Sequence, residues 1–327
     1  KKGMVMNMNN KNWVSVWGNA VSIAEHHPEA YAKYITLRYP VYIPFDGDTL
    51  RFTFDNYCGS EAVTVTRATV SAATSPVYEK MPLACPCKKE TICDITFSKN
   101  ESVTMEAHQT AVSDPVSFPV KKGMTLTVSL YFADFTLMQS AVLVTGPLSK
   151  GFFSLGDQTH ADALPMDTTK TTNWFYFLSN IELMTAEENH TVICYGDSIT
   201  AGAWPDYLTL LARQNPDNHT AFIRRATSGS RVLRQYECIT YDSYGLKGTN
   251  RFPHEIPTTG ADTVIIQQGI NDIIHPVGIE TNPFRPMSDL PTVKELIDGY
   301  RYYIEEAKKL HLKVYMGTLL PIFGWRT

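Results

Sequence analysis

Apolar and polar positions alternate with a period of two through most of the first half of the chain. YITLRYPVYIPF (34–45), TLRFTFDN (49–56), AVTVTRATVS (62–71) and MTLTVSLYF (124–132) are short and rich in Val, Thr, Tyr and Phe. That is the signature of half-buried strands. Turn-forming clusters separate them: DGD at 46–48, YCGSE at 57–61 and KKG at 121–123. Many short strands at this spacing predict a β-sandwich or jelly roll. WFYFLSNIELMT (174–185) predicts a closing strand pair, and the polar AEENH (186–190) marks the end of the region.

After it the period changes. Strands TVICY (191–195), TAFIRRA (220–226), DTVIIQQ (262–268) and LKVYMGTLLP (312–321) alternate with helical segments. WPDYLTLLARQ (204–214) reads as a helix with Pro205 near its first position, where a missing N–H costs nothing. In the long segment before 312, Val293, Leu296, Ile297, Tyr300, Ile304, Ala307 and Leu310 fall on one helical face. Lys308, Lys309 and His311 then sit near the negative end of the helix dipole. The stretch between 226 and 262 reads as irregular. Buried strands alternating with amphipathic helices predict an α/β domain with a parallel sheet covered on both faces. The division is therefore a β domain over 1–188 and an α/β domain over 189–327.

Length agrees with two domains, since 327 residues exceed what one ordinary core encloses. A net charge of −4 offers no general attraction to nucleic acid or anionic membrane, and no apolar run is long enough to span a bilayer. The start, KKGMVMNMNN, has no initiator Met and no apolar signal core. Six cysteines are present, three of them in CPCKKETIC as Cys85, Cys87 and Cys93. Three thiols without a second Cys/His cluster make poor zinc spacing, which leaves a local disulfide or free loop thiols. Cys194 lies within a buried strand as a small hydrophobe. Reduced thiols favour the cytoplasm, with secretion left open by the nature of the chain start.

Chemistry in a parallel sheet gathers beyond the carboxyl ends of its strands. Three segments fall there: Gly196-Asp197-Ser198, Ser228-Gly229-Ser230 and Gly269-Ile270-Asn271-Asp272. The first could be a phosphate loop, a plain strand-to-helix turn or a nucleophile turn. GDSITAGAW lacks the lysine of a Walker loop and the spacing of a dinucleotide fingerprint, so no nucleotide cofactor is expected. Gly-Asp-Ser alone is also a common helix cap. The full set changes the balance, because acyl transfer needs a nucleophilic hydroxyl and donors aimed at an oxyanion. Ser198 can supply the hydroxyl, and the backbone N–H near Gly229 and the Asn271 amide can supply donors.

At these residues the sequence resembles the SGNH/GDSL hydrolase family. GDSITAG matches its nucleophile block, ATSGSRV its glycine block and QQGINDI its Gly-x-Asn-Asp block, while GTLLP resembles a later strand. The resemblance implies a flavodoxin-like three-layer α/β domain with Ser198 as nucleophile. The N–H groups of Ser198 and Gly229 with the Asn271 amide form the implied oxyanion hole, Asp197 and Asp272 orient the loops, and neither metal nor cofactor is needed. Upstream, residues 35–71 and 113–132 resemble the β domain of a subgroup of bacterial esterases associated with plant cell-wall polysaccharides. This implies an acylated carbohydrate as substrate, with acetyl or another short acyl group removed. The alternative is a carbohydrate-binding protein on an inactive shell of the same fold.

The family's general base and orienting acid lie on a late Asp-x-x-His block, and nothing after Phe323 provides one. The expectation is a chain cut or cleaved before that block, incomplete at its C-terminus, with a C-terminal fragment of the same protein as a partner. Asp272-Ile-Ile-His275 has the right spelling but follows Asn271 directly, and His254 in RFPHEIP reads as a rim histidine. Trp204 and Trp325, with His275, border the expected cleft as candidate substrate contacts. Trp13 and Trp17 read as packing for the β domain.

Overall fold

The structure, a computed structural model, describes residues 11–23, 30–235, 244–277 and 286–324. Two antiparallel sheets share the N-terminal core. One joins Lys11–Gly18, Leu178–Ala186, Gly47–Asp55 and Thr110–Val112, with Val116–Val120 also paired to Gly47–Asp55. The other runs Lys170–Thr172, Gly151–Leu155, Ile35–Tyr42, Thr125–Phe132, Arg67–Ala72 and Cys93–Ile95 in spatial order. Alternation along the strands sends Leu50, Phe52 and Phe54 of the first and Leu37, Tyr39 and Val41 of the second into one cluster. Burying each such side chain contributes about 1.5–3 kcal/mol.

Two strand expectations are corrected. Residues 174–185 do not pair with one another. Trp174–Tyr176 joins Ser140–Leu143, whereas Leu178–Ala186 lies between Lys11–Gly18 and Gly47–Asp55. Phe177 between them has a φ of 60°, a left-handed turn that sends consecutive segments to different sheets. The strand expected over 62–71 is broken at Thr66. Val63–Val65 pairs with Val103–Met105, and Arg67–Ala72 with Thr125–Phe132. Trp13 and Trp17 lie on the strand Lys11–Gly18, half-buried; Arg51 covers the Trp13 ring at 4.6 Å and Trp17 leans on Phe175 at 5.7 Å. The five described cysteines are free thiols, and Cys238 lies outside the described residues.

The second half is a parallel sheet of β1 (His190–Gly196), β2 (Thr220–Ala226), β3 (Ala261–Gln267) and β4 (Lys313–Met316) in the order β2-β1-β3-β4. The helices are α1 (Ser198–Ala201), α2 (Trp204–Arg213), α3 (Gly248–Glu255), α4 (Ile270–Ile274) and α5 (Val293–Lys309). On one face Tyr195 of β1 meets Phe252 of α3 at 4.8 Å, and Phe252 stacks on Tyr303 of α5 at 4.4 Å. On the other, Arg224 of β2 pairs with Asp206 of α2.

Two expectations fail here. The stretch read as irregular contains α3, held despite Pro253 by a buried Arg251–Glu255 pair one turn apart and by the packing of Phe252. The buried face of α5 is Leu296, Gly299, Tyr303 and Ala307, while Val293, Ile297 and Leu310 are exposed. The apolar stripe is broad, and the side that meets Phe252 is the one buried. The start of α5 is secured by Thr292, whose hydroxyl accepts the Glu295 N–H while the Glu295 carboxylate accepts the Thr292 N–H.

Candidate active site

Register brings the three motif blocks to one edge. Gly196 at the end of β1 lies opposite Ala226 of β2 and Gln267 of β3. Ser198, Gly229 and Asn271 follow these positions within two to four residues. They therefore cluster beyond the carboxyl ends of three adjacent strands. Gly196 is required there: a Cβ would stand 2.3 Å from the Gln267 carbonyl oxygen and 2.4 Å from Thr200 Oγ1.

Ser198 is the first residue of α1 and is exposed. Asp197 caps that helix, its Oδ1 accepting the Ile199 N–H at 3.0 Å. Its other oxygen is buried with no hydrogen-bond partner. Burial above all, with a smaller push from Asp272, holds the Asp197 carboxyl at about 6 against the opposing pull of the Ile199 N–H and Arg251. The folded state thus holds this proton more firmly than an unfolded chain with a carboxyl near 3.9. Its contribution to stability is full below pH ~4 and is lost as pH rises to ~6, a change of about 3 kcal/mol. Asp197→Asn should abolish that part of the decline in denaturant-measured stability between pH 4 and 7. An unchanged pH profile would assign the titration to another group.

Gly229 has a φ of 76°, and a Cβ there would lie 2.1 Å from the Tyr244 ring. Backbone and space both demand glycine. The Asn271 amide is buried and donates to the Ser230 carbonyl at 3.1 Å. Asp272 accepts the N–H groups of Val232 (2.7 Å) and Leu233 (3.0 Å), which ties the second and third blocks together. Burial raises its carboxyl, opposed by those two N–H groups.

Beneath these residues lies a layer that motif reading did not name. Ser230 Oγ accepts from Arg251 Nη1 (3.0 Å) and Gln268 Nε2 (2.9 Å), and Tyr303 Oη donates to Gln268 Oε1 at 2.6 Å. Arg251 is held in turn by both Glu255 oxygens. In sequence these polar residues look like surface positions. A clearer signal was available at Arg224 and Arg225, two cations inside an otherwise apolar strand, and both prove buried.

The remaining candidates are dispersed. Trp204 opens α2, half-buried, with its indole N–H buried and without a hydrogen-bond partner. Trp325 lies outside the described residues. His275 ends α4 and stacks on Tyr244 at 5.5 Å. At the other end of the Asp-x-x-His spelling, each Asp272 oxygen accepts one backbone N–H, from Val232 or Leu233. His254 faces the N-terminal region, with Nε2 3.0 Å from Asp55 Oδ2 and its ring stacked on Tyr57 at 3.7 Å. Among the described residues no group of three or more His, Cys, Asp and Glu could hold a metal ion.

With this geometry in place, residues 194–327 match the model of the GDSL-like Lipase/Acylhydrolase family. Residues 194–327 are a GDSL-like acylhydrolase domain. Hydrolysis of ester bonds is the activity that goes with it. The matched span begins within β1 and contains Ser198, Gly229 and Asn271. One similar solved structure is the inhibitor-bound form of an aryl esterase of M. smegmatis, 15% identical, with a TM-score of 0.24; the match covers 42% of this chain and 88% of that one. A second crystal structure is also 15% identical, with a TM-score of 0.23, over 39% of this chain and 83% of that one. No curated protein matches the chain.

Proposed function

We propose that the protein is a serine esterase that removes acetyl or other short acyl groups from plant cell-wall poly- or oligosaccharides through an acyl-Ser198 intermediate. The observation that carries the esterase reading is the convergence of Ser198, Gly229 and Asn271 at the ends of three neighbouring parallel strands. Ser198 Oγ attacks the ester carbonyl carbon and gives up its proton to a general base. The carbonyl oxygen becomes an oxyanion, which accepts from the Ser198 and Gly229 N–H groups and from the Asn271 amide. One N–H of that amide is held by the Ser230 carbonyl, which leaves the second to donate to the oxyanion. Collapse expels the sugar alcohol with a proton, and water then releases the acid and restores Ser198.

The sugar part of this reading is supported by the resemblance of residues 35–71 and 113–132 to the β domain of carbohydrate esterases. Their two sheets over one core suit a sandwich of the jelly-roll kind. The test is acetate release from acetylated xylo-oligosaccharides beside hydrolysis of an aryl acetate, by the whole protein and by Ser198→Ala. Release from both substrates by the wild type alone supports the proposal. Cleavage of the aryl ester with no acetate from any acetylated sugar overturns the carbohydrate assignment.

A further inference from the structure

The helix that carries Ser198 is one turn long, too short to be stable by its own hydrogen bonds. Asp197 caps its start, and its end is held from outside. The Ala201 carbonyl accepts the Thr145 N–H of the N-terminal region at 3.0 Å, and the Gly202 carbonyl accepts Arg224 Nη2 at 3.1 Å. Arg224 also donates to Asp206 Oδ1 at 2.7 Å and to Ser149 Oγ at 3.0 Å. Asp206 Oδ2, on α2, accepts the Leu148 N–H (2.9 Å) and the Ser149 hydroxyl (3.0 Å). Gly146 passes so close that a Cβ would stand 2.2 Å from that same oxygen. Arg224, Asp206 and Ser149 are all buried.

We infer that the loop 145–149 is a clasp by which the N-terminal β region positions the nucleophile, with Ser149 and Asp206 as positioning residues. This rests on Ser198 being the nucleophile. The β region is then part of the catalytic apparatus rather than a detachable accessory. A charged network hydrogen-bonded through both terminal nitrogens of Arg224 and both oxygens of Asp206 suits that task, because its geometry is directional where apolar packing would tolerate sliding. A small displacement of Ser198 matters, since a misplacement of about 1 Å can cost on the order of 100-fold in rate.

The test compares Ser149→Ala with Lys122→Ala in the whole protein. Lys122 also bridges the two halves, donating to the carbonyls of Asn215 (3.0 Å) and Pro216 (2.8 Å), but it lies beyond the far end of α2. Ser149→Ala should lower kcat for an aryl acetate about tenfold or more with KM unchanged. It should also speed amide hydrogen exchange at Ala201 and Gly202 about tenfold, as expected for one buried hydrogen bond lost. Gly146→Ala, which pushes on Asp206, should act in the same direction, and Lys122→Ala should change neither quantity. Equal losses from Ser149→Ala and Lys122→Ala would reduce the effect to general docking of the two halves and overturn the clasp. Unaltered exchange at 201–202 in Ser149→Ala would overturn it as well. Exchange is read whether or not an ester is cleaved. Failure of the esterase reading, seen as Ser198→Ala retaining activity, is thus separate from failure of the clasp.

Discussion

Ser198→Ala should lower aryl acetate hydrolysis by roughly 10⁴-fold while leaving the fold intact. The loss is large because the hydroxyl forms the covalent bond, and no other group of the motif blocks can replace it. The fold survives because Ser198 is exposed and its backbone carbonyl, which accepts the Gly202 N–H, is unchanged. An exposed hydroxyl of this kind is worth within about 0.5 kcal/mol. Steady-state hydrolysis beside a thermal melt checks both halves. A variant that melts normally and keeps most of its activity would remove Ser198 from the nucleophile role.

Asn271→Ala should cost about 10²–10³ in turnover, ~2.7–4 kcal/mol of transition-state stabilisation. The fall belongs in kcat more than KM, because the amide bonds an oxygen whose charge exists mainly in the transition state. A second effect is structural. The Asn271 amide donates to the Ser230 carbonyl, and an unpaired buried carbonyl costs about 1–3 kcal/mol of stability. Both changes should therefore appear in one variant, the first in kinetics and the second in denaturant unfolding. A change confined to KM would make Asn271 a ground-state contact with substrate instead.

The two roles of Asn271 show where sequence reading stops. Its place in QQGINDI makes it the proposed oxyanion donor, since motif, strand and turn are neighbours in the chain. Nothing local says that its amide is aligned by Ser230, forty-one residues earlier, or that Asp272 closes the same loop through Val232 and Leu233. The histidines teach the same lesson. His275 has the spelling of a catalytic block, and nothing in that spelling shows that its ring stacks on Tyr244 or that Asp272 accepts the N–H groups of Val232 and Leu233. His254 reads as a rim residue, and only the structure adds that it meets Asp55 and Tyr57 of the other half.

The sequence by itself determined the parallel strands, the long final helix and the three blocks at the strand ends. Each rests on short-range rules: side-chain period, turn residues and fixed spacing. Only the tertiary structure decided which side of α5 is buried, that residues 248–255 form a helix around Pro253, and that residues 174–176 and 178–186 part into different sheets. It also decided that Arg224 reaches Ser149 and so ties the helix that carries Ser198 to the β region. These outcomes turn on contacts between residues far apart in sequence. A broad apolar stripe or a buried arginine has several local solutions of similar energy, and packing against a distant partner selects one of them.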